Sequence, residues 1–342
     1  MMKQIAPGVQ LGASGREALS AIGTADDNLH ALRRWIESAV IDVAPAGFVE
    51  DTHFRHAMVE DTGWLLSQIP YRGHVLATRE LYGWVQQFPA DLQPLAVHLV
   101  RQIAQKYYVS VNLFHEALDD LIGRSGIPRG SSVVFCRWQR LGESAERVAH
   151  SIKNQAGWRV QAELDLRQPL NSWPKLSARE ARWFVVADDF IGSGRTACEL
   201  FASPEKLIPR VLDRYPHSQA KVLVVAGFEG GIRRVRAEIS GCRDRADIVV
   251  SRVWQDTDRC FDPSSRVLPD PKRRDRLRQF CLEAAERYMP RLALNLRLGY
   301  EETGGVVVFF DSVPNTSLPI LWHGLGSWRP LFPRSGLPEP GV

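Results

Sequence analysis

No two cysteines in this chain are spaced as CxxC, and none stands near a histidine at zinc-ligand spacing. The five present, Cys136, Cys198, Cys242, Cys260 and Cys281, are odd in number and scattered. They give no disulfide framework and predict a reduced, cytoplasmic setting. The nine histidines form no metal spacing and no catalytic triad. No window approaches the roughly 18 uninterrupted apolar residues of a membrane span. The opening stretch MMKQIAPGVQLGASGREALS lacks the apolar run of a signal peptide, so neither a membrane nor secretion is expected. A strong charge excess is also missing: 43 Lys and Arg face 39 Asp and Glu, a formal net charge of +4 and a pI of about 8.9. That balance suits small anionic ligands at least as well as a nucleic-acid backbone. No internal repeat is present.

What remains is an ordinary globular composition, 342 residues long and 44% hydrophobic, with ample apolar content for a core. Residues 1–27 read as an N-terminal extension and 28–127 as a helical domain. Leu92, Leu95, Ala96, Leu99, Val100 and Ile103 fall on one helical stripe entered through FPADLQP. SVNLFHEALDDLIG predicts a second helix, capped by Ser110 and stopped by Gly123. The turn GIPRGSS then marks a boundary. Beyond it, over 128–325, apolar runs alternate with helical spacing: SSVVFCRW, RVQAELDL, WFVVADDF, AKVLVVAGF, ADIVVSRVW and GGVVVFFDSV. Such a pattern predicts an α/β domain, a parallel sheet covered by helices on both faces. The Pro- and Gly-rich tail, 326–342, is expected to be extended or frayed.

One stretch carries chemistry: WFVVADDFIGSGRTACELF, Trp183 to Phe201. A strand over Trp183–Ala187 would release Asp188 and Asp189 at its carboxyl end, where open parallel sheets hold their ligands. Gly192, Ser193, Gly194, Arg195 and Thr196 would then turn into a helix, with backbone amides and hydroxyls suited to a phosphate monoester. A Walker loop fails here, because the first glycine and the lysine are missing. Gly192, Gly194 and Ala197 match the dinucleotide fingerprint only nominally, since the acids precede the loop instead of following it by about 20 residues.

The segment Val185, Val186, Ala187, Asp188, Asp189, Phe190, Ile191, Gly192, Ser193, Gly194, Arg195, Thr196 resembles the phosphoribosyl pyrophosphate motif of type I phosphoribosyltransferases. It departs from that motif at Ser193 and at Arg195. GGVVVFFDSVPNTSLPILWHG, with QKYYVSVNLFHEALDDL, is similar to phosphoribosyltransferase-like proteins of bacterial conflict and antiphage systems, including those accompanying retrons, over about residues 60–325.

The resemblance implies a type I phosphoribosyltransferase-like fold and a phosphoribosyl pyrophosphate or nucleotide ligand. Paired aspartates, Asp188 and Asp189, would take the vicinal ribose hydroxyls while the loop takes the 5'-phosphate. It implies Mg²⁺, reached by Asp188 and Asp189 through ligand or water, and chemistry at the anomeric carbon through an oxocarbenium-like transition state. Arg137, Arg140 and Ser144 in CRWQRLGESAERV stand where these enzymes put a pyrophosphate loop, with Arg140 and Ser144 as leaving-group contacts; a plain helix cap is the alternative. A flap over 165–180, with Arg167 or Lys175, competes with a plain surface loop. Glu229 stands at pocket level or merely begins a helix. Asn315 and Trp322 are candidates to contact a base, Trp322 with a core role as alternative. As partners the resemblance implies a phosphoribosyl or nucleotide ligand and a protein of a defence system; a homo-oligomer stays open, and groove reading of nucleic acid is not expected. A nucleotide sensor without turnover, signalling through the helical N-terminal part, is the rival reading.

Overall fold

A computed structural model of the chain describes residues 52–137, 144–166, 168, 182–201, 207–242 and 244–334. In chain order its elements are α1 (Thr52–Ser67), α2 (Thr78–Val85), α3 (Gln93–Gln102), β1 (Tyr108–Val109), α4 (Val111–Arg124), β2 (Ser132–Arg137), α5 (Ser144–Gln155), β3 (Arg159–Asp165) and β4 (Trp183–Ile191). Then follow α6 (Arg195–Cys198), α7 (Leu207–Arg214), β5 (Gln219–Phe228), α8 (Glu229–Ile239), β6 (Ala246–Trp254), α9 (Pro271–Tyr288), β7 (Val308–Phe309) and α10 (Pro319–Trp322).

Five strands pair in parallel in the order β3-β2-β4-β5-β6. This is the expected α/β sheet, and side-chain alternation shows why its strands read as continuous apolar runs. Val133, Phe135, Val185, Ala187, Leu223, Val225 and Val249 join the core beneath the helices of residues 59–121 and α5. Val134, Phe184, Val186, Val222, Val224, Ile248 and Val250 face the other way, onto Ile208 and Val211 of α7 and Val235 of α8. The chain runs outward from the middle of the sheet in both directions, so right-handed crossovers put α5 on one face and α7 and α8 on the other.

The stripe predicted in the N-terminal half is buried, Leu92, Ala96, Leu99, Val100 and Ile103 each at 3% exposure or less. It packs in one cluster with the first sheet face and with residues 298–332. Ser110 caps α4 as expected, its Oγ accepting from the Leu113 N–H at 3.2 Å. Gly123 does not stop it: α4 passes through to Arg124, and the chain turns at Gly126, whose φ of +69° is the left-handed conformation a helix end requires. Residues 1–51, and with them the start of the predicted helical domain, lie outside the described residues.

One further expectation fails, and of the two offered for the tail, extended or frayed, one is excluded over its described part. GGVVVFFDSV does not join the main sheet; Val308–Phe309 alone are extended and pair with Tyr108–Val109 in a separate two-stranded sheet. Val306 to Phe309 are completely buried, and a short apolar run buried on all sides looks the same in sequence whether it is strand or core coil. Nor is the tail frayed as far as residue 334. Trp328, Leu331 and Phe332 are buried, the Trp328 and Trp84 indoles both donate to Ile320 O at 2.9 Å, and Phe332 N–H donates to Leu321 O at 2.8 Å. Large apolar anchors outweigh the Pro and Gly content there; residues 335–342 lie outside the described residues. Among the described residues, no helix is long and apolar enough to cross a membrane.

Two stability measurements check this packing. Phe332→Ala is expected to cost about 3–5 kcal/mol in denaturant unfolding, as for a core aromatic, where a frayed tail predicts under about 0.5 kcal/mol. Ser110→Ala should cost about 1 kcal/mol through its lost cap.

Candidate functional site

β4 is the strand on which the site is built. Along β5 it is paired from Trp183 to Ile191, but among the described residues only Trp183, Phe184 and Val185 are paired along β2. From Val186 onward no described residue of β2 pairs with it. That gap stands where the strand order reverses, since β2 leads outward to β3 and β4 leads outward to β5. In open α/β sheets this reversal is where a crevice forms.

A cavity of about 420 Å³ opens at this end of β4. Its wall comprises Ser144 at the start of α5, Asp188 through Gly194 and Thr196, Tyr300, the segment Asp311–Thr316, and Arg334. Asp188 and Asp189 are 5% and 6% exposed, and the Asp189 N–H donates to Asp188 Oδ1 at 2.9 Å. Both lie inside β4 instead of beyond it, because β5 continues the ladder to Phe228. Consecutive strand residues point to opposite faces, yet both aspartates line this one cavity at the carboxyl end of the strand.

The glycine loop is fixed by close packing. Gly194 has φ of +78°, and a Cβ there would strike the Gly231 carbonyl; one at Gly192 would strike Thr316. Gly231, in the VVAGFEGG stretch, thus serves the loop's approach to α8. Glu229 begins α8 and is not in the cavity wall. Among the described residues, the amides of Gly192, Ser193 and Gly194 have no backbone partner.

Electrostatically the wall is mixed. Asp188, Asp189 and Asp311 supply carboxylates, and Arg334 a guanidinium that donates to Val313 O. Behind them Arg147 is ion-paired to Asp311, with Phe114 and Phe310 each 5.2 Å from its guanidinium carbon. Burial pulls the Arg147 pKa down and the charge of Asp189 pushes it back up, the net shift being downward. Several buried polar atoms of this wall have no hydrogen-bond partner among the described residues: Arg147 Nε and Nη2, Asp311 Oδ1, Ser312 Oγ and Thr316 Oγ1. Polar atoms buried without partners mark where water or a ligand completes the network.

At the lip, Glu301 binds the loop. Its carboxylate takes Arg195 Nη1 at 2.8 Å and Arg234 Nη1 at 3.3 Å, and the Arg195 backbone N–H donates to Ser193 Oγ at 3.4 Å. Burial acts to raise the Glu301 pKa, but the hydrogen bonds it accepts and the two arginine charges hold it below the ordinary carboxylate value.

The structure therefore brings together Asp188, Asp189, Gly192, Ser193, Gly194, Thr196, Ser144 and Asn315. It does not bring Arg195, which points outward to Glu301 with 61% of its side chain exposed. Nor does it bring Trp322. That ring is 4% exposed, its N–H donates to Ser317 O at 2.9 Å, and the Arg334 guanidinium covers it at 4.0 Å, so it backs the wall instead of meeting a base. Arg137 ends β2, outside the cavity wall. Arg140, Arg167 and Lys175 lie outside the described residues. Sequence reasoning missed Tyr300, Glu301, Arg147, Arg234 and Arg334. The one available signal for these was the glycine-flanked GYEETGG turn.

Among the described residues, no group of three or more His, Cys, Asp or Glu side chains is arranged to hold a metal ion. The donors on the wall are oxygens, and they fit a hard cation such as Mg²⁺ held largely by its ligand and water.

No curated protein matches the chain at a significant level. Among solved structures, a hypoxanthine-guanine-xanthine phosphoribosyltransferase (HGXPRTase) aligns at 14% identity over 42% of this chain and 75% of its own, with a TM-score of 0.26. The AQ2163 protein from Aquifex aeolicus aligns at 14% identity over 60% of this chain and 86% of its own, also with a TM-score of 0.26. Likenesses this slight carry no functional argument. Residues 81–334, which contain every described side chain of the crevice, match the PRTase-CE family, and the chain belongs to that phosphoribosyltransferase-like family.

Proposed function

We propose that the crevice binds a phosphoribosyl ligand of the phosphoribosyl pyrophosphate or nucleotide type. The observation that carries this reading is that the buried pair Asp188 and Asp189 shares one cavity with the glycine loop at the sheet's reversal point. Vicinal ribose hydroxyls are two donors, and paired carboxylates are their natural acceptors. The 5'-phosphate goes to the loop, where amides of Gly192, Ser193 and Gly194 are available. Asn315 and Tyr300 line the same cavity and stand where a base could be contacted, in place of Trp322.

For Mg²⁺, Asp188 and Asp189 are the residues that would hold the ion, through ligand oxygens and water. When bound, the ion neutralises phosphoryl charge and polarises a departing pyrophosphate. The chain's own contribution is to orient the ribose and to set two carboxylates against positive charge developing at the anomeric carbon. Ser144, at the start of α5 on the opposite bank, is available to a leaving group, and Arg140 is proposed for the same task.

A sensor without turnover is the second reading, and one connection favours it. The Asp311–Thr316 wall follows directly on β7, which pairs with β1 beside the N-terminal helices. Arg147 links the same wall to Phe114 of α4. Ligand occupancy thus has a path to the helical half and to a protein partner. An effector role in antiphage defence, including retron systems, is proposed from the sequence resemblance; a phage plaque assay with and without the gene tests it.

Phosphoribosyl pyrophosphate with Mg²⁺ is expected to raise the melting temperature, by about 2.7 kcal/mol of stabilisation at 100 times Kd, and Asp188→Asn/Asp189→Asn should abolish the shift. Released pyrophosphate identifies an enzyme; stabilisation without release identifies the sensor; no stabilisation of the wild type contradicts the reading. EDTA should weaken binding several-fold, because three wall carboxylates would then face the ligand's phosphates unscreened, whereas an unchanged affinity removes Mg²⁺ from the proposal.

A further inference from the structure

The loop carries one contact that phosphoribosyl binding leaves unexplained. Ser193 lines the cavity, and its hydroxyl accepts at 3.4 Å from the backbone N–H of Arg195, whose guanidinium is held outward by the Glu301 carboxylate. The same carboxylate takes both Arg195 and Arg234, and Arg234 Nη1 also donates to Ser193 O at 3.1 Å. Two guanidinium groups converging on one carboxylate, beside a hydroxyl of the cavity wall, form a donor set of the kind that recognises phosphate.

The backbone that delivers Glu301 is strained. Gly299, Glu301, Glu302 and Gly304 have φ of +81°, +54°, +53° and +61°. Two successive non-glycine residues in the left-handed region cost energy and persist where surrounding contacts hold them. Those contacts are the loop itself and an Arg278–Glu302 ion pair at 2.9 Å. Tyr300, next to Glu301, lines the cavity and donates its N–H to Asn315 O at 2.8 Å. Movement of Glu301 would therefore be felt at the cavity wall.

We propose that Ser193, Arg195 and Arg234 form an anion subsite at the lip of the cavity, and that Glu301 is an internal competitor for it against the phosphate of the ligand. This inference rests on the phosphoribosyl reading and specifies how the loop selects its anion. A phosphate dianion that displaces Glu301 meets two guanidinium groups that the carboxylate no longer neutralises. It also releases the strained 299–304 turn. Arg195, which does not face the cavity, thereby acquires a role at the lip.

Calorimetric titration with ribose 5-phosphate tests this. Glu301→Gln keeps the side chain's shape and removes its charge, and it should bind about tenfold more tightly than wild type, as expected when a competitor occupying about nine-tenths of a site is removed. Glu301→Ala should move in the same direction, which guards against an effect peculiar to one substitution. Adding Arg234→Ala to Glu301→Gln should erase most of the gain. A wild type that binds while both Glu301 variants bind equally or more weakly overturns the inference and leaves the phosphoribosyl reading standing. Failure of wild type and all variants to bind, each with a cooperative melt, overturns both.

Discussion

Among the described residues, β4 is paired along its length with β5 and over three residues with β2, and the site is built on that asymmetry. Consecutive strand residues face opposite layers of a sheet, yet Asp188 and Asp189 line a single space beyond the described pairing with β2. Everything else in the crevice is placed relative to that end of β4: Ser144 from the β2 bank, the glycine loop beyond Ile191, and the Asp311–Thr316 segment as a third wall.

The third wall ties chemistry to architecture. Residues 306–332 pack among the N-terminal helices and one sheet face, so the wall that meets a ligand is continuous with the largest apolar core of the chain. Arg147 is the joint. Its guanidinium sits 5.2 Å from both the Phe114 and Phe310 rings and pairs with Asp311, which keeps a half-buried cation next to the carboxylates. Breaking a half-buried pair leaves a poorly solvated charge behind, so both partners favour keeping the joint closed.

Much of this was legible in the sequence. Val133–Phe135, Phe184–Ala187 and Leu223–Ala226 announce themselves because strands buried on both faces have no polar alternation to blur them. Asp188, Asp189 and the Gly192–Gly194 loop stood out because acids and glycines directly after an apolar run have few structural reasons to be there. Failures came where tertiary packing decides. Val306–Phe309 read as a sheet strand because burial on all sides looks alike in either conformation. Trp322 could be placed against a base or in the core, and its burial and its indole hydrogen bond to Ser317 come from geometry that no spacing encodes. Arg195 follows a left-handed glycine that turns it outward, and Glu301 lies more than a hundred positions away in sequence, so their meeting was invisible.

The central claim is that one cavity holds a sugar by its hydroxyls and a phosphate by the loop. A crystal structure of the chain soaked with ribose 5-phosphate and Mg²⁺ tests it most directly. Density with the 2'- and 3'-hydroxyls at Asp188 and Asp189 and the phosphate against Gly192–Gly194 is the predicted result. A ligand seated elsewhere, or one lying in the cavity with its phosphate turned away from the loop, would contradict it.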